Sequence, residues 1–167
     1  MSRRTVPGAI LALTLALSAC GGGEEDGTPP AAAELAEEIS TDLAEAPDVP
    51  EVDAAAPEEL VVEDVVVGDG EEAVEGSSVA VKYVGAFYGN GEEFDSSWSR
   101  GADETLPVTL GAGQVIDGFD QGITGMQVGG RRVITIPSEL GYGEQGRGPI
   151  PGGATLVFVI DLVEVTG

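Results

Sequence analysis

Leu140-Gly-Tyr-Gly-Glu-Gln-Gly-Arg-Gly-Pro-Ile-Pro-Gly-Gly-Ala-Thr-Leu-Val-Phe-Val-Ile-Asp-Leu162 carries a loop shaped by glycine and proline straight into an apolar strand. Along the strand, Leu156, Phe158, Ile160 and Leu162 fall on one face at period two, the pattern of a strand packed on a core. The loop contributes Tyr142 and Ile150. Together they build an apolar wall over a sheet and offer no obvious nucleophile, so the chemistry expected here is that of a shaped surface.

The preceding residues read as further short strands with turn punctuation. Leu60–Val67 is β-branched and ends at Gly68-Asp-Gly70. Val79, Val81 and Tyr83 alternate with Ala80, Lys82 and Val84, and Tyr88-Gly-Asn-Gly-Glu-Glu-Phe94 turns the chain back into another strand end. Leu106–Leu110 and Arg132–Ile136 predict two more strands. Between these two, Val115, Ile116, Phe119 and Ile123 recur at helical spacing over Gln114–Ile123, which predicts one short helix lying across the sheet. The expected class is α+β, an antiparallel sheet with one helix on its inner face.

Inventory removes several kinds of chemistry. The 167-residue chain has room for one ordinary domain. It contains no histidine, which excludes Ser-His-Asp and Cys-His catalysis and His-ligated zinc. Its single cysteine, Cys20, makes neither an internal disulfide nor a Cys-based metal site. With 30 acidic and 7 basic side chains the formal charge is −23, a poor match to nucleic-acid phosphates. No cofactor or metal is expected, and nothing suggests a dimer.

The N-terminus reads as an address. Arg3 and Arg4 precede a short apolar stretch, Val6–Leu17, followed by Leu17-Ser-Ala-Cys-Gly21. The stretch falls short of the roughly 20 residues that span a bilayer as a helix. Leu17-Ser-Ala-Cys20 resembles a bacterial lipobox, which implies a signal peptide over residues 1–19, lipidation of Cys20, export and attachment to the outer face of a membrane. Residues 20–59, composed largely of Gly, Ala, Pro, Glu and Asp with no Lys, Arg or aromatic side chain, are expected to form an acidic disordered tether. Leu35, Ile39 and Leu43, spaced four apart, allow a transient helix within it. The globular domain is assigned to residues 60–167.

Within that domain Val81-Lys-Tyr-Val-Gly85, Glu93-Phe-Asp-Ser-Ser97, Gln114-Val-Ile-Asp-Gly-Phe119, Gly125-Met-Gln-Val-Gly-Gly-Arg-Arg132, Ile136-Pro137 and the opening stretch follow one another in the order of a known family. The chain resembles the FKBP-type peptidyl-prolyl cis-trans isomerases. The resemblance implies a twisted antiparallel half-barrel wrapped around one short α-helix, and an activity that rotates X-Pro bonds in exported or envelope proteins. It further implies that Tyr83, Phe94, Asp95, Tyr142 and Phe158 are catalytic. Val115, Ile116, Phe119, Ile150, Leu106 and Arg100 then contact substrate, with Asp95 accepting hydrogen bonds from Tyr83 and Arg100.

Two positions depart from the family pattern. Phe119 stands where many members carry tryptophan, and Leu106 where an aromatic is common. The resemblance implies proline-containing polypeptides as clients, and these changes imply a preference for a bulky apolar residue before proline with reduced affinity for macrolide inhibitors. Rotation about an amide makes and breaks no covalent bond, so the absence of a nucleophile agrees with such an activity. The alternative is a module of the same fold that holds proline segments without turnover. Arg131 and Arg132 are expected on a solvated sheet edge.

Overall fold

The computed structural model describes residues 30–167. The apolar alternation of the last strand forms β6 (Leu156–Thr166), the spine of a six-stranded antiparallel sheet. Its other members are β1 (Val61–Val66), β2 (Ser78–Phe87), β3 (Glu93–Ser96), β4 (Leu106–Thr109) and β5 (Arg131–Ile136). They lie in the order β1-β5-β6-β2-β3, and β4 pairs with the early part of the same β2 edge that carries β3 further along. A bulge between Ala80 and Val81 resets the β2–β6 register. Beyond it Tyr83 opposes Ile160, and Gly85 opposes Phe158.

One face of this sheet carries the main core, where Val81, Tyr83, Ile134, Ile136, Leu156, Phe158, Ile160 and Leu162 pack under the helix α2 (Asp117–Ile123). The helix begins three residues later than the apolar spacing predicts. Ile116 has extended backbone and is the N-cap, so Val115 and Ile116 precede the helix. Close approach to β5 is made possible by two glycines. A Cβ at Gly118 would stand 2.4 Å from Cγ2 of Ile136, and one at Gly122 2.7 Å from Cγ2 of Ile134. The far end of α2 is held by Arg132, whose Nη1 donates to the carbonyls of Gly122 (2.9 Å) and Thr124 (3.2 Å), groups that a helix C-terminus leaves unpaired.

The opposite face is covered by residues expected to form a disordered tether. That expectation fails over residues 33–59. The helix α1 (Pro30–Glu38) and the strap that follows it lie against the sheet, with Leu35 and Ile39 each only 3 % exposed. They join Val133, Val157, Val159 and Tyr88 in a second apolar cluster, flanked by Val49, Val52 and Val65. Apolar side chains are sparse in the strap, but the sheet supplies the rest of the cluster, so burial offsets the cost of ordering it. Residues 1–19 and Cys20 lie outside the described residues, and no described helix is long and apolar enough to cross a membrane.

Arg131 and Arg132 are also placed differently from expectation. β5 lies between β1 and β6, so neither residue stands on a solvated edge. Arg131 is 0 % exposed; its Nε and Nη2 donate to Asp161 at 2.6 and 2.7 Å. Its remaining donors reach across to the strap, at the carbonyls of Ser40 (2.7 Å) and Glu45 (3.1 Å). Arg132 faces the other way and pairs with Asp64 on β1 at 2.6 Å. One arginine therefore ties down the strap and its neighbour the helix α2.

Candidate functional site

Three strands, β2, β3 and β6, and the N-terminal side of α2 bring the aromatic side chains together. Phe158 projects from β6 toward α2, and Phe119 from the first turn of α2 meets it edge-on with ring centroids 5.1 Å apart. Phe94 on β3 meets Phe158 at 5.6 Å with the rings at 85°. Tyr83 on β2 closes the group, 5.9 Å from Phe119 and 6.2 Å from Phe158. Edge-to-face rings set the positive rim of one against the negative face of the next, a preferred aromatic packing. Gly85 leaves room for it, because a Cβ there would stand 2.7 Å from Cε1 of Phe158 and 2.9 Å from Cζ of Phe94.

Around these rings the other sequence-predicted side chains close in. Ile150 is buried in the same cluster, and Leu106, Val115, Ile116 and Tyr142 pack against it half-buried. Tyr142 lies at the loop turn just before a short 3-10 segment, and Ile150 reaches the cluster from the loop tip, where its N–H and C=O exchange hydrogen bonds with Arg147 at 2.9 Å. Because Ile116 is the N-cap of α2, its N–H has no acceptor within the helix. All eleven predicted pocket residues thus belong to one cluster or its rim.

The rim is polar and closely connected. Tyr83 donates its hydroxyl to Oδ2 of Asp95 at 2.5 Å. Arg100 donates Nη1 to Oδ1 of Asp95 (3.0 Å) and Nη2 to the Tyr83 hydroxyl (3.2 Å). The Ser96 N–H also donates to Oδ1 of Asp95, at 2.9 Å. These bonds hold Asp95 in one orientation although its side chain is 49 % exposed and that of Arg100 47 %. Burial, followed by the hydrogen bond to Asp95, pushes the Tyr83 hydroxyl pKa above its ordinary 10.0, so Tyr83 remains a donor. The Tyr83 hydroxyl and Asp95 together hold the Arg100 guanidinium more firmly charged than usual.

Three neighbours escaped the sequence reading. Ser97 is fully buried, and its Oγ both accepts from the Tyr83 N–H (3.0 Å) and donates to the Tyr83 carbonyl (3.4 Å), fixing the strand beneath the ring. Phe87 stands behind Phe94 at 5.1 Å. Trp98 sits beneath the Lys82 ammonium at 4.3 Å, just before Arg100. Ser97 lies inside the quoted Glu93–Ser97 block and Phe87 at the end of a strand, but neither position carries a periodicity that separates support from core.

Residues 69–163 match the model of the FKBP-type peptidyl-prolyl cis-trans isomerase family. The chain belongs to that family. It is accordingly a peptidyl-prolyl cis-trans isomerase. An FK506-binding protein of Streptomyces anulatus is 51% identical over 121 residues, which cover 70% of this chain and 96% of that protein. An FK506-binding protein of Neisseria meningitidis serogroup A is 50% identical over 107 residues, covering 64% and 95% respectively. The isomerase fold is shared with the crystal structure of AtFKBP13 at TM-score 0.60 and 39% identity, over 66% of this chain and 96% of that one. FkpA from Escherichia coli superposes at TM-score 0.58 and 37% identity, over 64% of this chain and 48% of FkpA. The open antiparallel sheet with α2 on its inner face is the fold of this family, and α1 and the strap precede the residues matched to it.

Proposed function

We propose that the isomerase twists X-Pro bonds of exported or envelope polypeptides against Tyr83, Phe94, Asp95, Tyr142 and Phe158. In this reading Val115, Ile116, Phe119, Ile150, Leu106 and Arg100 position the chain on either side of the bond. The observation that carries the reading is the edge-to-face group of Tyr83, Phe94, Phe119 and Phe158 with a carboxylate fixed at its lip.

Amide resonance sets a rotation barrier of roughly 18–20 kcal/mol, and an uncatalysed X-Pro bond exchanges in about 10–100 s at 25 °C. The twisted amide loses conjugation and part of its charge separation. A dry aromatic surface therefore favours it relative to water, and catalysis needs only that difference in binding. The unpaired Ile116 N–H supplies a donor for a substrate carbonyl, and Tyr142 supplies a hydroxyl beside the pocket. Asp95, held by Tyr83, Arg100 and Ser96, keeps the polar lip rigid, so no reorganisation is needed when substrate enters.

Phe119 at the floor occupies less space than tryptophan, which favours a bulky apolar residue before proline and weakens the grip on FK506-type macrolides. Support for macrolide recognition comes from relatives named as FK506-binding proteins. Export and anchoring through a lipid on Cys20 rest on Leu17-Ser-Ala-Cys20 and the charged, apolar leader before it.

The deciding measurement is X-Pro isomerisation by the full chain, with apolar and acidic residues before proline, for the wild type and for Phe158→Ala and Asp95→Ala. Apolar preference, loss in both variants and weak macrolide inhibition are expected. Wild-type rates in both variants would remove the pocket assignment, and Cys20→Ser leaving membrane partition unchanged would remove the anchor.

A further inference from the structure

Beside the pocket, on the far side of Phe94, lies an open groove of about 970 Å³, and of its lining residues only Phe94 takes part in the isomerisation just described. Phe87 and Phe94 form one wall, Pro149 and Pro151 a second, and Ala54 and Ala56 of the strap a third. Two elements are shared with the pocket. The Phe94 ring touches Phe158 on one side and Phe87 on the other, at 5.6 and 5.1 Å. Ile150 points into the pocket cluster while Pro149 and Pro151 on either side of it line the groove. The third wall is held by the Tyr88 hydroxyl, which donates to the Ala55 carbonyl at 3.3 Å.

The charge of the groove has one sign. Glu92 and Glu93 are its only charged lining residues, and both are exposed. Asn90 orients Glu92: its Oδ1 accepts from the Glu92 N–H at 3.0 Å and its Nδ2 donates to the Glu92 carboxylate at 3.4 Å. The strap that closes the groove has no Lys or Arg between residues 33 and 59, and Arg147, on the loop tip, does not line the groove.

We propose that this groove is a second client subsite, formed jointly by the strap and the isomerase domain, which binds the part of the polypeptide flanking its proline and selects flanks carrying Lys or Arg. It rests on the pocket assignment above, because continuity across Phe94 and the Pro149–Pro151 loop makes a chain leaving the pocket enter the groove. The aromatic and proline walls take the apolar part of the flank, and the two carboxylates take its cation. Contacts remote from the reacting bond then raise kcat/KM for long clients without altering the chemistry at the bond.

The test compares three substrates on the full chain at low salt. One is a short blocked X-Pro peptide with an apolar X; the others are 12-residue peptides with the same X-Pro centre and either Lys or Glu at the flanking positions. Wild type is expected to favour the Lys-flanked over the Glu-flanked peptide by about fivefold in kcat/KM, the scale of two exposed ion pairs, with the preference fading at high salt. Glu92→Lys with Glu93→Lys reverses the preference, and Ala56→Trp, which fills the groove, abolishes it. Both variants retain wild-type kcat/KM on the short peptide. Equal rates for the two long peptides in wild type, or a preference unmoved by the charge reversal, overturns the subsite and leaves the groove to another occupant, such as the chain's own first residues. Phe158→Ala serves as the separate control: wild-type turnover of the short peptide by that variant would instead overturn the pocket on which the subsite depends.

Discussion

The two faces of β6 are buried by different means. Its inner face packs Leu156, Phe158, Ile160 and Leu162 against α2 and neighbouring strands, and its outer face packs Val157 and Val159 against α1 and the strap. The inner cover is dense in aromatics and belongs to the residues matched to the family; the outer cover is a short acidic, alanine- and proline-rich segment that precedes them. Dense apolar and aromatic packing sustains the inner face. The outer face depends on one buried ion pair to fix a weakly apolar segment in place, because Arg131 satisfies Asp161 and two strap carbonyls at once.

The largest expected effect lies on the inner face. Phe158→Ala removes the ring that Phe94, Phe119 and Tyr83 all touch, and it should destabilise the fold by about 3–5 kcal/mol. Isomerase activity should fall with it, including at temperatures well below the melting transition. Chemical denaturation alongside an X-Pro assay separates the two effects; full activity in a destabilised variant would show that the ring is only core.

Arg131→Ala attacks the outer face. It strands the Asp161 carboxylate beneath the strap and should cost about 3 kcal/mol, toward the lower end for breaking a buried pair, because a loosened strap admits water. Activity on a short peptide should stay at the wild-type level under folding conditions. Loss of activity without loss of stability would mean that the two faces communicate. Leu35→Ala should act in the same direction but less, about 2 kcal/mol, since α1 sits at the start of the strap and can collapse into the space. Hydrogen exchange should show that loss confined to residues 33–59 and their partners on β5 and β6.

The same contrast explains what the sequence discloses and what it does not. Period-two alternation in Leu156–Leu162, Val79–Tyr83 and Arg132–Ile136 reveals strands, and family blocks that include Tyr83, Phe94, Asp95 and Phe158 bring the predicted site residues to one place. The outer cover is hard to see because its signal is divided. Leu35 and Ile39 are too few to bury themselves, and their partners Val157 and Val159 lie more than a hundred residues away inside a run already explained by its inner face. An uninterrupted apolar run from Leu156 to Ile160 is, however, the mark of a strand covered on both sides, and it was available in the sequence. Arg131 and Arg132 are hard to place for a related reason. Adjacent charges suggest a wet edge, and their partners, Asp161 and Asp64, become visible only once β5 is known to lie between β1 and β6.

Gly85→Ala strikes the inner face where its rings meet. A methyl group there meets both Phe158 and Phe94, so the rings must move or the strand must bend, at about 1–3 kcal/mol. The expected signature is a stability loss with a change in the kcat/KM ratio between small and bulky residues before proline. An unchanged ratio would mean that the Phe94–Phe158 geometry does not set the fit.

The smallest effect concerns the polar lip. Tyr83→Phe removes one hydrogen bond to Asp95 and leaves those from Arg100 and Ser96, so a cost of about 1 kcal/mol at neutral pH is expected. Its pH dependence has a definite sign. The folded-state Tyr83 pKa is raised above the ordinary 10.0, chiefly by burial, so the native chain holds this proton more tightly than the unfolded chain. The associated stability is fully present below pH 10.0 and is lost as pH rises through the folded-state pKa. Tyr88, raised by burial on the outer face, contributes a loss in the same direction. Denaturation from pH 8 upward should therefore show wild-type stability falling above pH 10, with part of that fall missing in Tyr83→Phe and a further part in Tyr88→Phe. A wild-type curve no steeper than that of Tyr83→Phe would mean that Tyr83 is as free to ionise in the folded chain as in the unfolded one, and that the lip is looser than its hydrogen bonds imply.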